Sequence, residues 1–241
     1  FLVQETSSTQ DEARRLAREG FPPGSVVAAE RQTAGRGRFP ERRWQAEEGK
    51  NLLFTIRLDA ACARLPALPL RVGAALCRAA IAQAGTIGAA VRPEDIRLKW
   101  PNDLLIRGRK AAGILCEAGG EGVFAGIGVN CNQRSFPNGF GATSLALEFG
   151  VEVDRWRFLG LFLGALKSEL ENDDWRAGIE ELLWKRGERV TFIPGLPGRG
   201  EPVEGRIAGI DPAGSLLIAA EEGAAPLAFA AGELRRARGA S

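Results

Sequence analysis

The chain has 241 residues, enough for one large domain or a main domain plus a small one, with a core that needs neither disulfide nor metal to hold it. Its 32 Lys and Arg against 30 Asp and Glu leave a formal charge of +2, too weak a field to argue for nucleic acid as a partner, and it contains no His, Tyr or Met. Without His the commonest general base and zinc ligand are gone, and with them every Ser-His-Asp or Cys-His arrangement, so any chemistry falls to Lys, Arg, carboxylates, amides and backbone.

In chain order, Thr9 and Glu12 have capping-box spacing, and Ala13, Leu16 and Ala17 continue at helical intervals until Gly20. Pro22-Pro23-Gly24 marks a turn. Ser25 to Glu30 reads as a strand, Arg31 to Lys50 as a long aperiodic polar stretch, and Asn51 to Leu58 as a second strand. A loop of that length in a compact domain is uncommon unless it is functional. Leu68, Val72, Leu76, Ala79 and Ala80 form one apolar helical stripe ending at Gly85, and Ile96 to Trp100 is a strand stopped by Pro101. Leu104 to Ile106, Ala111 to Glu117 and Val123 to Asn130 follow as three strands with connections short enough for antiparallel neighbours. Asp154 to Leu170 and Trp175 to Lys185 read as helices. Beyond them, residues 186 to 241 hold 10 of the 31 Gly and 5 of the 13 Pro among the short apolar runs Arg189 to Ile193, Val203 to Ile210 and Ser215 to Ala219, a texture that favours a small all-β barrel.

The four cysteines, Cys62, Cys77, Cys116 and Cys131, have no C-x-x-C spacing and no His to complete a metal set; they are expected as reduced, mostly buried thiols in a cytoplasmic protein. No run approaches the ~18 apolar residues of a membrane span, and no signal peptide opens the chain, so no membrane partner is expected. A chain that begins at Phe1 is expected to lack its native start.

The charge is uneven. Residues 31 to 43 carry a net +4 and residues 107 to 110 a net +3; taking both from +2 leaves the rest at −5. Two cationic stretches in a mildly acidic body are expected if both face one anionic ligand, the alternative being two solvated surface loops. Gly35-Arg36-Gly37-Arg38 pairs glycines, which let backbone approach a phosphate, with forked cationic donors. A P-loop is excluded, since Gly49-Lys50 is followed by Asn51, and Gly126-Ile-Gly128 lacks the third glycine of a dinucleotide fingerprint.

Five motifs occur in one order: Ser8-Thr9-Gln10 at a helix start, Gln32-Thr-Ala-Gly-Arg-Gly-Arg38, Lys99-Trp-Pro-Asn-Asp103, Arg109-Lys110-Ala-Ala-Gly-Ile114 and Gly126-Ile-Gly-Val-Asn130. Together they resemble the biotin protein ligases over nearly the whole chain. The resemblance implies an α+β fold: a catalytic domain over residues 1–184, built on a mixed sheet flanked by helices, and an SH3-like β-barrel over 185–241. It implies joining of biotin to AMP with ATP and Mg2+ held mainly through the phosphates, then transfer of biotin to a lysine of a biotin carboxyl carrier protein. Biotin's carboxylate arrives ionised, so the first step needs cations and positioning rather than a base.

By that resemblance Ser8, Thr9, Gln10 and Gln32 meet the ureido end of biotin, although Ser8 and Thr9 also read as helix caps. Arg36, Gly37 and Arg38 form the loop over the adenylate, Lys110 bridges carboxylate and α-phosphate, and Gly113, Gly126 and Gly128 let strands pass close to the ligand. Asn102 and Asp103, otherwise a Pro-Asn-Asp turn, orient phosphates and acceptor lysine. Asn130 faces the nucleotide, and Trp44 either stacks on the adenine or packs the loop. Lys110, Arg38, Arg36 and Asp103 are thus the expected catalytic set, and no metal ligand is assigned. The family often has Asn at the position of Gln10, and Phe39-Pro40-Glu41-Arg42-Arg43 replaces a shorter Gly-containing stretch. Few residues precede the first motif, so a form that binds no nucleic acid is expected. An exposed sheet edge would allow a homodimer. A lipoate ligase or lipoyl/octanoyl transferase, and a non-catalytic biotin or adenylate sensor, are the competing readings. The cationic stretch 31 to 43 is expected to be mobile until an anion arrives, for want of anything to pack on.

Overall fold

A computed structural model describes residues 1–39, 41–136, 141–196, 200–221 and 225–235. Pro40 of the divergent stretch and residues 236–241 of the expected C-terminal domain lie outside these.

Seven strands, β1 (Leu2–Thr6), β2 (Val26–Gln32), β3 (Leu52–Leu58), β4 (Ile96–Lys99), β5 (Asp103–Ile106), β6 (Arg109–Gly119) and β7 (Gly122–Val129), form one mixed sheet in the order β1-β2-β3-β7-β6-β5-β4. Only β1 and β2 are parallel; every other pairing is antiparallel. The sheet's two faces are dressed differently, as strand alternation requires. Val27 and Phe124 pack with Ala13, Leu16 and Ala17 of α1 (Thr9–Arg18). Their strand neighbours Ala28, Val123 and Ala125 belong to the main core with α2 (Leu68–Ile87) and α4 (Arg155–Glu171), where Phe54 meets Phe162 edge to face with ring centres 5.5 Å apart. Two shorter helices, α3 (Leu145–Phe149) and α5 (Trp175–Leu182), complete the set.

The expected helices and strands are present, with ends displaced by a few residues. α1 is capped one residue earlier than the capping-box spacing suggests: the Ser8 hydroxyl accepts from the Gln10 N–H, and Glu12 pairs with Arg15 instead of reaching back. α2 runs through Gly85 to a left-handed cap at Gly88. The buried Arg71 of α2 donates to the carbonyls of Glu169 and Asn172, filling the acceptors left open at the end of α4.

The C-terminal part is a five-stranded antiparallel sheet of β8 (Arg189–Pro194), β9 (Val203–Ile210), β10 (Leu216–Ala219), β11 (Leu227–Phe229) and β12 (Gly232–Leu234), ordered β11-β10-β9-β8-β12. It shares the main core: Trp100, at the end of β4, lies 5.8 Å edge to face from Phe192 and donates its indole N–H to the Gly214 carbonyl at 3.0 Å. No helix among the described residues is long and apolar enough to cross a membrane.

Candidate active site

The α1 face of β7 explains where a ligand can go. Phe124, Gly126 and Gly128 point the same way along the strand; Phe124 closes the small core under α1, and the two glycines remove the side chains beyond it. Opposite them on β6 stand Leu115, paired with Gly126, and Gly113, paired with Gly128. The floor so opened is roofed by Ser8, Thr9 and Gln10 at the start of α1 and by Arg36, Gly37, Arg38 and Trp44, with Gln32, Asn102 and Lys110 on its flanks.

One end of this cleft is neutral and rich in hydrogen-bonding groups. Gln32 Oε1 accepts from the Thr9 N–H at 2.7 Å and from its hydroxyl at 3.1 Å, and Thr9 also meets the Thr55 hydroxyl at 2.9 Å. Gln10 donates its amide to the Leu115 carbonyl at 2.6 Å, lying on Gly126 so closely that a methyl there would collide with it. A carbonyl can only accept, so the Gln10 oxygen is turned away from it; that oxygen is buried and has no partner. Ser8 caps the helix, while the Thr9 hydroxyl meets Gln32 and Thr55.

The other end is cationic. Lys110 lies 2.6 Å from Asp103 Oδ1 and 5.6 Å over the Trp44 ring. A β-bulge brings it there: Leu104 pairs with Ala112 but Leu105 with Lys110, so Ala111 is the extra residue. Without it, Lys110 and Gly113, three residues apart, would face opposite sides of the sheet; with it, the Lys110 ammonium comes against Gly113. Arg36 lines the cleft away from Lys110: it makes a two-armed pair with Asp11, both arms 2.8 Å, and lies 3.9 Å from Glu117, and the Asp11 bonding raises its pKa above the ordinary arginine value. Arg38 donates to the Gly232 carbonyl at 2.6 Å; burial lowers its pKa, although nearby Asp103 and Glu233 work the other way.

Two expectations about charge need correction. Arg107 and Arg109 do not face the cleft. They turn to Glu148, whose side chain is 0% exposed: Arg109 is 2.6 Å from one carboxylate oxygen and Arg107 3.7 Å from the other. Only Lys110 of that stretch reaches the site. The first stretch has partners to pack on, which removes the reason given for its mobility: Phe39 is buried, Arg38 and Arg42 lie over its ring, and Arg42 forks onto Glu233 at 3.0 and 2.8 Å.

The remaining named residues divide. Asn102 lines the cleft, its amide donating to the Ile114 carbonyl at 2.8 Å. Asn130 is buried and donates to the Thr143 carbonyl at 3.0 Å. Gly113 and Gly128 make room for the Trp44 indole, whose N–H is buried without a partner. With Trp44 lying across it, the cleft keeps a free volume of only about 60 Å³. Pockets for small ligands start at roughly 300 Å³, and the Trp44 indole is what covers the floor at Gly113 and Gly128. Sequence reading missed Asp11, Thr55, Trp100 and Glu148: each is the partner of a motif residue rather than part of a recognisable pattern, Trp100 excepted, which sits inside a motif but faces the C-terminal sheet.

Residues 2–133 match the biotin/lipoate A/B protein ligase family, a range that holds every residue lining the cleft, and residues 187–234 match the biotin protein ligase C terminal domain. The chain belongs to the biotin/lipoate A/B protein ligase family. Within it, the bifunctional ligase/repressor BirA of Bacillus spizizenii is 34% identical over 234 residues, covering 90% of this chain and 68% of that one. The biotin--[acetyl-CoA-carboxylase] ligase of Mycobacterium tuberculosis is 34% identical over 227 residues, covering 90% and 82%. The structure of the Aquifex aeolicus biotin protein ligase in complex with biotin and ATP superposes with a TM-score of 0.80 at 29% identity, covering 98% of both chains.

Proposed function

We propose that this chain is a biotin–protein ligase: it joins biotin to ATP, giving biotinyl-5′-AMP and pyrophosphate, and then transfers the biotinyl group to a lysine of a biotin carboxyl carrier protein. The observation that carries the reading is the polarity of one cleft, neutral hydrogen-bonding groups around Thr9, Gln10 and Gln32 on one side and Arg38 and Lys110 gathered about Asp103 on the other. An acid with a polar, uncharged ring and a carboxylate several bonds away matches that order. Gln32, Thr9 and Ser8 serve the ring, and the unpartnered Gln10 oxygen offers an acceptor for a ring N–H. Arg38 and Lys110 draw the carboxylate and the α-phosphate together, offsetting the repulsion between two anions, which is the main barrier to attack. The partial burial of Arg38 strengthens this, because a desolvated guanidinium interacts more strongly with an incoming phosphate. Arg36, anchored by Asp11, holds the loop over the adenylate, with Gly37 as its pivot. Trp44, displaced from Gly113 and Gly128, supplies a face for the adenine, and Asn102 and Asn130 hold the strand ends beside the nucleotide.

In the second step the acceptor lysine must lose a proton, and Asp103, already beside Lys110, is the carboxylate at hand. Among the described residues no three His, Cys, Asp or Glu cluster to hold a metal. Mg2+ would be held through the phosphates of ATP beside Arg38 and Lys110, and would supply further charge neutralisation there. We place the boundary between catalytic and SH3-like domains at 184/185, and the protein in the cytoplasm, where ATP and carrier domains are made. On the far edge of the sheet Leu98 is taken by Leu183 and Trp184, so pairing of two copies falls to β1. Biotin-dependent exchange of labelled pyrophosphate into ATP, followed by labelling of a purified carrier domain, tests the reading; exchange with lipoate and none with biotin overturns it. Exchange without transfer to any carrier would mark an adenylate sensor.

A further inference from the structure

Lys110 stands where its own sheet no longer holds it. Its N–H and C=O point to the side where β7 has already ended at Val129, and they are taken up by a segment that belongs to no strand: the Lys110 N–H donates to the Gly141 carbonyl at 3.0 Å, and the Thr143 N–H to the Lys110 carbonyl at 2.8 Å. The bulge that turns the ammonium into the cleft therefore depends on residues 141–143 staying in place. Thr143 braces them. Its carbonyl accepts from Asn130, and its hydroxyl donates to Glu148 Oε1 at 2.6 Å. The same oxygen of Glu148 lies 2.6 Å from Arg109, the residue before Lys110. One enclosed carboxylate thus grips the chain on both sides of the bulge, through the strand that carries Lys110 and through the segment that holds its backbone.

We propose that Glu148 is a positioning residue for Lys110. A carboxylate shut away from water is costly unless it is paired, and a neutral side chain of the same volume would fill the space without that cost. What the charge supplies is a single acceptor strong enough to fix a hydroxyl and a guanidinium together. Rate depends steeply on such placement, since a displacement of about 1 Å at a reacting group can cost roughly 10²-fold. The proposal rests on the reading of Lys110 given above as the lysine at the reacting groups, and it makes Arg107 and Arg109 parts of a frame rather than ligands of the phosphates.

The test compares full-length Glu148→Ala and Glu148→Gln with the unaltered chain by two readouts. In amide hydrogen exchange, the Lys110 and Thr143 amides should exchange about tenfold faster or more in Glu148→Ala while those of Phe124 to Gly128 stay protected. In biotin-dependent pyrophosphate exchange, kcat should fall about tenfold or more while the KM for biotin moves less than about threefold, the ring end of the cleft being untouched. Glu148→Gln keeps an acceptor for Thr143 and should recover part of both. Should Glu148→Ala not fold, Glu148→Gln and Thr143→Val carry the same comparison. Unchanged exchange at Lys110 and Thr143 overturns the proposal, and so does a fall in kcat matched by an equal rise in KM and a loss of protection across the whole sheet. If the unaltered chain shows no biotin-dependent reaction, the functional reading fails, and the hydrogen-exchange comparison still decides what Glu148 does.

Discussion

The two cationic stretches of this chain look alike as sequence and end up opposite as structure. Around Arg36 and Arg38 the glycines fold the chain back on itself, the arginines reach Asp11 and the Gly232 carbonyl, and both line the cleft. At the β5–β6 turn, Arg107 and Arg109 flank Gly108 and turn toward a buried acid forty residues downstream, leaving only Lys110 in the cleft. The difference lies in what each cation is paired with. A half-exposed pair such as Arg36 with Asp11 can be exchanged for a ligand anion at modest cost, because both partners keep access to water. Glu148 has no such access, so Arg109 is committed to it, while Arg107 divides itself among Glu148, Asp95 and the Ala90 carbonyl.

Removing the charges one at a time would sharpen that contrast. Lys110→Ala should slow single-turnover formation of the adenylate by about 10²-fold or more, as loss of one transition-state donor does; a rate near the unaltered one would put Lys110 in the same class as its neighbours. Arg38→Ala removes a charge-assisted contact of about 1.5–3 kcal/mol. In rate that is roughly tenfold to 10²-fold, read in the same assay. Arg109→Ala should act on stability and leave the ring end of the cleft alone: with Glu148 left to Arg107 and the Thr143 hydroxyl, the urea midpoint should shift by an amount corresponding to about 1–3 kcal/mol, with biotin affinity unchanged. A large fall in biotin affinity with no loss of stability would reverse the contrast.

The smallest effect concerns pH. Burial works to raise the Glu233 carboxyl, but the Arg42 fork and its charge prevail and hold it below its ordinary value of 4.5. A depressed carboxyl contributes stability above its unfolded pKa and loses it as pH falls through the lower folded value. Unaltered protein should therefore melt slightly above Glu233→Gln at about pH 6, by the equivalent of about 1 kcal/mol or less, and the gap should close by about pH 3. A gap that widens on acidification would contradict the pairing.

Much of the site was readable because its motifs carry special chemistry at fixed spacing, and the long helices and strands followed from their periodicity. What escaped reading had no local signature. β1, Leu2–Thr6, is mostly exposed and shows no clean alternation, and its identity comes from lying beside β2. α3 is five residues long, too short for a period to show. The bulge at Ala111 changes which way Lys110 faces without any glycine or proline to announce it. Glu148 is a single acid in an apolar helix, and its meaning appears only when Arg109 and Thr143 are seen around it. The charge arithmetic located the cations but misjudged most of their targets, since only Arg36, Arg38 and Lys110 line the cleft and net charge says nothing about which carboxylate each cation meets.

Trp100 has a consequence for anyone recombining these proteins. It belongs to a motif whose Asn102 lines the cleft, yet its ring packs on Phe192 of the C-terminal sheet and its N–H donates to the Gly214 carbonyl in the turn before β10. The two modules are thus stitched through the catalytic sequence itself. Cutting the chain after α5 would strand a large aromatic surface, and grafting a C-terminal sheet from a relative would succeed only where the donor brings a matching aromatic and a carbonyl in register with that indole.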